Sequence, residues 1–169
     1  MEMDSQVELA PFDGRRIQEL VAERGLTNVA VAAGVGAAKC SVTRWIQGQA
    51  VPEPKFLVGL ARVLKVEPGD LYRVAPDRRD LTYYRIVAGY SLAQLGPLAG
   101  TSAVHLGRME AGRRPIPEHL VPRLSELLDL DAEAFTAAVA RIRRRQPGPP
   151  RRRAPRRTDR RAYMRPLAS

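Results

Sequence analysis

The chain superimposes on itself at an offset of 64 residues, and this repeat limits its architecture more than any other feature. LTNVAVAAGVGAAKCSVTRWIQGQ (26–49) lies over YSLAQLGPLAGTSAVHLGRMEAGR (90–113) without a gap, matching Gly36 to Gly100, Val42 to Leu106, Arg44 to Arg108, Trp45 to Met109 and Gly48 to Gly112. Just upstream, Gly25 falls on Gly89; downstream, FLVGLARVLKVEPGDL (56–71) falls on LVPRLSELLDLDAEAF (120–135), apolar on apolar. Each copy must therefore close a small core by the same pattern. A chain of 169 residues has room for one moderate core or two small ones.

The spacing within each copy predicts five short helices. In the first, Ile17, Leu20 and Val21 form an apolar stripe on a helix that Asp13 can cap and Gly25 can end. Thr27 can cap a second helix, which stops near Gly36. Residues 38–47 read as a third, with Val42, Trp45 and Ile46 inward and Gly48 as its stop. Pro54 can open a fourth, with Phe56, Leu57, Leu60, Val63 and Leu64 on its inner face, and a fifth follows at Pro68–Tyr72.

The second copy repeats the scheme with its own signals. Leu81 and Tyr84 stand where Ile17 and Leu20 do, and Ser91 with Gln94 has the spacing of a capping box. Pro97 is expected to interrupt its second helix. Leu120, Val121, Leu124, Leu127 and Leu128 make the inner face of a fourth helix; Phe135, Ala138, Val139 and Ile142 extend the fifth from Asp131 towards Pro147. These signals divide the chain into a flexible N-terminus (1–12), a first domain (13–75), a linker (76–80), a second, divergent domain (81–146) and a disordered basic tail (147–169). So short a linker predicts that the units pack or hold a restricted geometry.

Charge is distributed unevenly. The formal net charge is +10, yet residues 141–169 alone hold twelve arginines and one acid, Asp159, which leaves the rest of the chain almost neutral. Five prolines and few core-forming side chains prevent that segment from burying enough apolar surface to offset the entropy of ordering. Such a charge run invites a nucleic-acid partner, DNA or RNA, with an acidic protein as the other partner it would suit. No stretch is long and apolar enough for a membrane span, and MEMDSQVELA is acidic where a signal peptide would be basic, so the expected location is the cytoplasm, on the nucleoid.

RGLTNVAVAAGVGAAKCSVTRWIQG (24–48) and AGYSLAQLGPLAGTSAVHLGRMEAG (88–112) both resemble the helix-turn-helix pattern of the Cro/C1-type, or XRE, family. The resemblance covers about residues 14–140. It implies an all-α chain made of two tandem five-helix, lambda-repressor-like units, and a role in binding double-stranded DNA as a transcriptional regulator. In that family the third helix lies in the major groove. An inward Val42, Trp45 and Ile46 leave Lys39, Cys40, Ser41, Thr43 and Arg44 pointing outward, and these side chains include the donors that base edges and phosphates need.

Role by role, the resemblance places Lys39, Ser41 and Thr43 at base-edge positions and Arg44 where bases or phosphates are contacted. Asn28 stands where the family carries a phosphate-contacting Gln at the start of helix two, and Gln47 and Gln49 lie just beyond helix three as phosphate neighbours. The second copy departs from the pattern: Leu92 replaces the helix-two Gln, and its outward positions are Ala103, Val104, His105, Gly107 and Arg108. This face suits a protein partner, such as a second subunit, as well as it suits bases. Arg113 and Arg114 remain within the reach of phosphate from the following loop, and Arg108 joins them as a DNA contact.

Enzymatic readings find little support. AGVGAAKCS lacks the spacing of a phosphate-binding loop, no strand precedes it, and Cys40 has no identifiable histidine and carboxylate partners. One cysteine and two histidines exclude a Cys/His zinc site and an internal disulfide. No catalytic residue, cofactor, metal or small-molecule ligand is inferred. Two classes remain: a sequence-specific DNA-binding regulator with a phosphate-gripping tail, or an antitoxin-like or scaffolding protein whose helix-turn-helix units bind protein while the tail holds nucleic acid without preference.

Overall fold

A computed structural model describes residues 11–145, in which every regular element is helical. The first unit comprises α1 (Gly14–Glu23), α2 (Asn28–Val35), α3 (Lys39–Ile46), α4 (Pro54–Val63) and α5 (Pro68–Leu71). The second comprises α6 (Leu81–Val87), α7 (Leu92–Leu98), α8 (Ala103–Glu110), α9 (Val121–Leu127) and α10 (Ala132–Arg145). The expected tail and most of the expected N-terminal segment lie outside the described residues.

The repeat holds at the level of the backbone. Residues with left-handed φ fall in pairs 64 apart: Gly25 with Gly89, Gly36 with Gly100, Gly48 with Gly112, and Lys65 with Asp129. Each pair ends a helix where the chain must reverse, which the three glycine pairs do without steric penalty and Lys65 and Asp129 do despite their β-carbons. The N-terminal signals also act as anticipated. Asp13 accepts from the Arg16 N–H at 3.0 Å and Thr27 from that of Ala30 at 3.1 Å. Ser91 and Gln94 close a reciprocal capping box at 3.2 and 2.9 Å, and Asp131 caps α10 at 2.7 Å.

Two local expectations are corrected. Pro97 does not interrupt α7, which continues to Leu98. The proline occupies the last turn, where only one backbone bond is lost and the helix is about to end. The fourth helix of the second copy is also not one α-helix: Glu118–Leu120 form a 3-10 turn before α9 begins. Pro122 has no N–H to give the carbonyl four residues back, so the α ladder cannot extend through that turn.

Each unit has its own core. Ile17, Leu20, Val31, Val42, Leu57, Leu60, Leu64 and Leu71 are buried in the first; Leu81, Leu95, Leu106, Leu124, Phe135, Ala138 and Ile142 in the second. Phe12, assigned from sequence to the N-terminal segment, belongs to the first core. It is buried and forms an antiparallel bridge with Tyr72, with Arg73 N–H donating to the Pro11 carbonyl at 2.6 Å and Asp13 N–H to that of Leu71 at 3.0 Å.

The units are joined through α6, which is apolar on two sides. Leu81 and Tyr84 pack into the second core, whereas Ile86 packs against the first. Tyr83 stacks at 6.1 Å from the Tyr72 ring, and its hydroxyl lies so close to Gly69 that a β-carbon there would be 2.8 Å away. Gly89 approaches Val58 in the same way, its notional β-carbon 3.0 Å from a valine methyl. Arg79 holds the connection: its guanidinium sits 5.0 Å from the Tyr83 ring and donates to the Val74 carbonyl at 3.0 Å, while Arg141 of α10 donates to the Arg79 carbonyl at 3.0 Å. Burial holds the Tyr83 phenol protonated above its ordinary range, against the opposing pull of Arg79.

Candidate nucleic-acid interface

The outward face of α3 is set by what α3 buries. Val42 is fully buried and Trp45 is 5% exposed, its ring 5.5 Å from that of Phe56. From the other side α1 begins at Gly14, where a β-carbon would collide with the carbonyl oxygens of Trp45 and Ile46, the latter at 2.8 Å. Only glycine lets α1 come so near the end of α3. With this helix clamped on its inner face, Lys39, Cys40 and Arg44 are exposed and Ser41 and Thr43 half-buried on the other.

The polar groups on this face are available. Among the described residues no ion pair involves Lys39 or Arg44. The Thr43 hydroxyl donates to the Lys39 carbonyl at 3.1 Å, which fixes the side chain and leaves its oxygen free to accept. Ala38 provides no side-chain cap for α3, in contrast to Ser102, whose hydroxyl accepts from the His105 N–H at 3.1 Å at the start of α8. Asn28 is half-buried at the first position of α2, and Gln47 and Gln49 are exposed in the turn after α3. The fold thus brings Lys39, Ser41, Thr43 and Arg44 onto one helix, with Gln47 and Gln49 next to its end.

The corresponding face of the second unit differs in kind. Val104 is 61% exposed, His105 and Arg108 are exposed, and Ala103 and Gly107 are half-buried. Leu92 stands at the place of Asn28 and covers Gly107, its Cδ1 3.3 Å from where a β-carbon would be. Arg113 and Arg114 are exposed in the loop after α8, and neither they nor Arg108 enters an ion pair among the described residues.

Sequence reasoning overlooked the residues that orient α8. Arg85 and Glu110 form a bidentate pair, Nε to Oε1 at 2.8 Å and Nη2 to Oε2 at 3.1 Å, with only 10% and 7% of their side chains exposed. Thr82 donates to Glu110 at 3.1 Å and Arg85 to the Tyr90 carbonyl at 2.9 Å, so the polar atoms are well satisfied. At the matching positions the first unit has Val21 and Ile46. The paired replacement was present in the repeat: two inward apolar positions had become complementary charges together.

No helix among the described residues is long and apolar enough to cross a membrane. Neither curated proteins nor solved structures yielded a match to the chain. Residues 16–77 match the family model of the Cro/C1-type HTH DNA-binding domain, and residues 77–138 match that of a helix-turn-helix domain. The two matches meet at the connection between the repeats and cover the same two units as the two cores. The chain therefore belongs to the helix-turn-helix proteins, with a Cro/C1-type DNA-binding domain followed in tandem by a second helix-turn-helix domain.

Proposed function

We propose that the protein is a sequence-specific transcriptional regulator whose first unit reads the major groove of double-stranded DNA through α3. The observation that carries this reading is the concentration of cations and hydroxyls, Lys39, Ser41, Thr43 and Arg44, on the outward side of a helix whose inward side is locked by Val42 and Trp45. Such a helix is narrow enough for a groove about 12 Å wide, and its donors suit guanine edges and phosphates. Asn28, Gln47 and Gln49 flank it as positioning contacts. The arginine-rich C-terminal segment adds phosphate contacts without reading bases.

Selection from a pool of random duplexes tests this directly. Enrichment of one motif supports the regulator. The exposed Val104 on α8 favours a second reading, in which the units chiefly bind protein in the manner of an antitoxin or scaffold. Uniform recovery of duplexes is the result that this second reading requires.

A further inference from the structure

The joint between the units uses different surfaces of the two copies. The first contributes Pro54 and Val58 of α4 together with Gly69 and Tyr72; the second contributes Tyr83, Ile86 and Gly89 on and after α6. A two-fold pair would use one surface twice. This contact is heterologous, head to tail, and the units are not related by a dyad.

Head-to-tail contacts propagate unless something stops them. The repeat shows what does so here. At the offset of 64, the free end of the first unit carries Glu19, Ala22 and Gly25 in place of Tyr83, Ile86 and Gly89, all exposed. The free end of the second carries Glu118, Pro122, Glu133 and Thr136 in place of Pro54, Val58, Gly69 and Tyr72, also exposed. Adding another molecule by the same contact would put Glu19 where the Tyr83 ring sits and Glu133 where Gly69 makes room for it. Two carboxylates would then oppose each other, and the glycine gap would be filled. The series closes at two units.

Resting on the reading that α3 selects bases, we infer that one molecule of this chain occupies one DNA site without two-fold symmetry. The first unit reads its bases. The second grips the backbone on one flank through Arg108, Arg113 and Arg114, exposed cations around α8 that enter no ion pair among the described residues. The fixed joint makes the flank always the same one, because Arg79, Tyr83 and Arg141 hold the connection on both sides.

The test uses the full-length protein on the duplex that the selection enriches, with native mass determination and hydroxyl-radical footprinting. The expected result is one chain per duplex, a motif with no dyad, and backbone protection extending beyond the motif on one side only. Replacing Arg108, Arg113 and Arg114 with Ala should remove that flank, leave the motif unchanged, and lower the slope of log affinity against log salt by roughly 2 to 3. These side chains are exposed, so the variant retains its core. A dyad-symmetric motif occupied by two chains overturns the inference and leaves the functional reading standing. An absence of any enriched motif overturns both.

Discussion

Trp45 shows how one side chain sets both the core and the exposed face of α3. Its buried ring packs beside Phe56 on the inner face of α3, so its loss removes both core volume and the support that aims Lys39 to Arg44 outward. Truncating a buried aromatic to Ala costs about 3–5 kcal/mol, a large share of the 5–15 kcal/mol typical of a domain. Trp45→Ala should unfold or strongly loosen the first unit, seen as a lower thermal transition; a melt identical to wild type would contradict this placement. Val42, Trp45 and the polar residues between them were legible in the sequence because helical periodicity separates the two faces. Gly14 was not. Its importance lies in how closely two backbones approach, which a one-dimensional pattern does not record.

At the scale of elements, the repeat predicted helix order and most caps, since these depend on residues a few positions apart. It misjudged Pro97 and the start of α9, where the outcome depends on which turn of a helix a proline occupies. It also passed over Arg85 and Glu110, a contact across 25 residues. Glu110→Ala should cost about 3–5 kcal/mol by leaving Arg85 buried without its partner. The double variant Arg85→Val with Glu110→Ile, which copies Val21 and Ile46, should recover most of that loss or exceed wild type. Chemical denaturation of the three proteins measures it. Equal loss in the single and double variants would show that the second unit requires the ion pair itself.

The joint is a property of α6 as an element, and its tyrosine makes it sensitive to pH. Burial raises the Tyr83 pKa above the unfolded value of about 10, so the folded state holds this proton more tightly. The resulting stabilisation is fully present below pH 10 and is lost as pH rises from there through the folded pKa. Stability followed between pH 9 and 12 should fall, and Tyr83→Phe should flatten that fall. A fall of the same size in the variant would assign it to other groups.

In the whole molecule, most of the excess charge lies C-terminal to the two cores. Residues 141–169 carry twelve arginines against one acid, while residues 1–140 are close to neutral; Arg141, Arg143, Arg144 and Arg145 stand on the last turns of α10, and the other eight lie beyond it. If half of those arginines each neutralise a phosphate, deleting residues 146–169 and neutralising Arg143, Arg144 and Arg145, with Arg141 kept for the joint, should reduce the salt slope by roughly 5. Sequence preference should survive, because phosphate contacts position a protein without identifying bases. An unchanged slope would remove DNA from the role of this segment. The short linker foretold only that the units would pack or hold a restricted geometry. The surfaces of the joint could not be read because Tyr83 and Ile86 look like ordinary members of an apolar helix until the cores are placed on either side.

The central claim is that α3 of the first unit identifies bases, and it is tested most directly by a ratio of affinities. Binding to the selected duplex and to a scrambled duplex of the same composition is measured at one salt concentration, for wild type and for Ser41→Ala, Thr43→Ala and Arg44→Ala combined. Each lost base contact is worth roughly 1–3 kcal/mol of discrimination. The account predicts a high ratio for wild type and a ratio close to one for the variant, with affinity for the scrambled duplex reduced much less. A variant that keeps the wild-type ratio would contradict it.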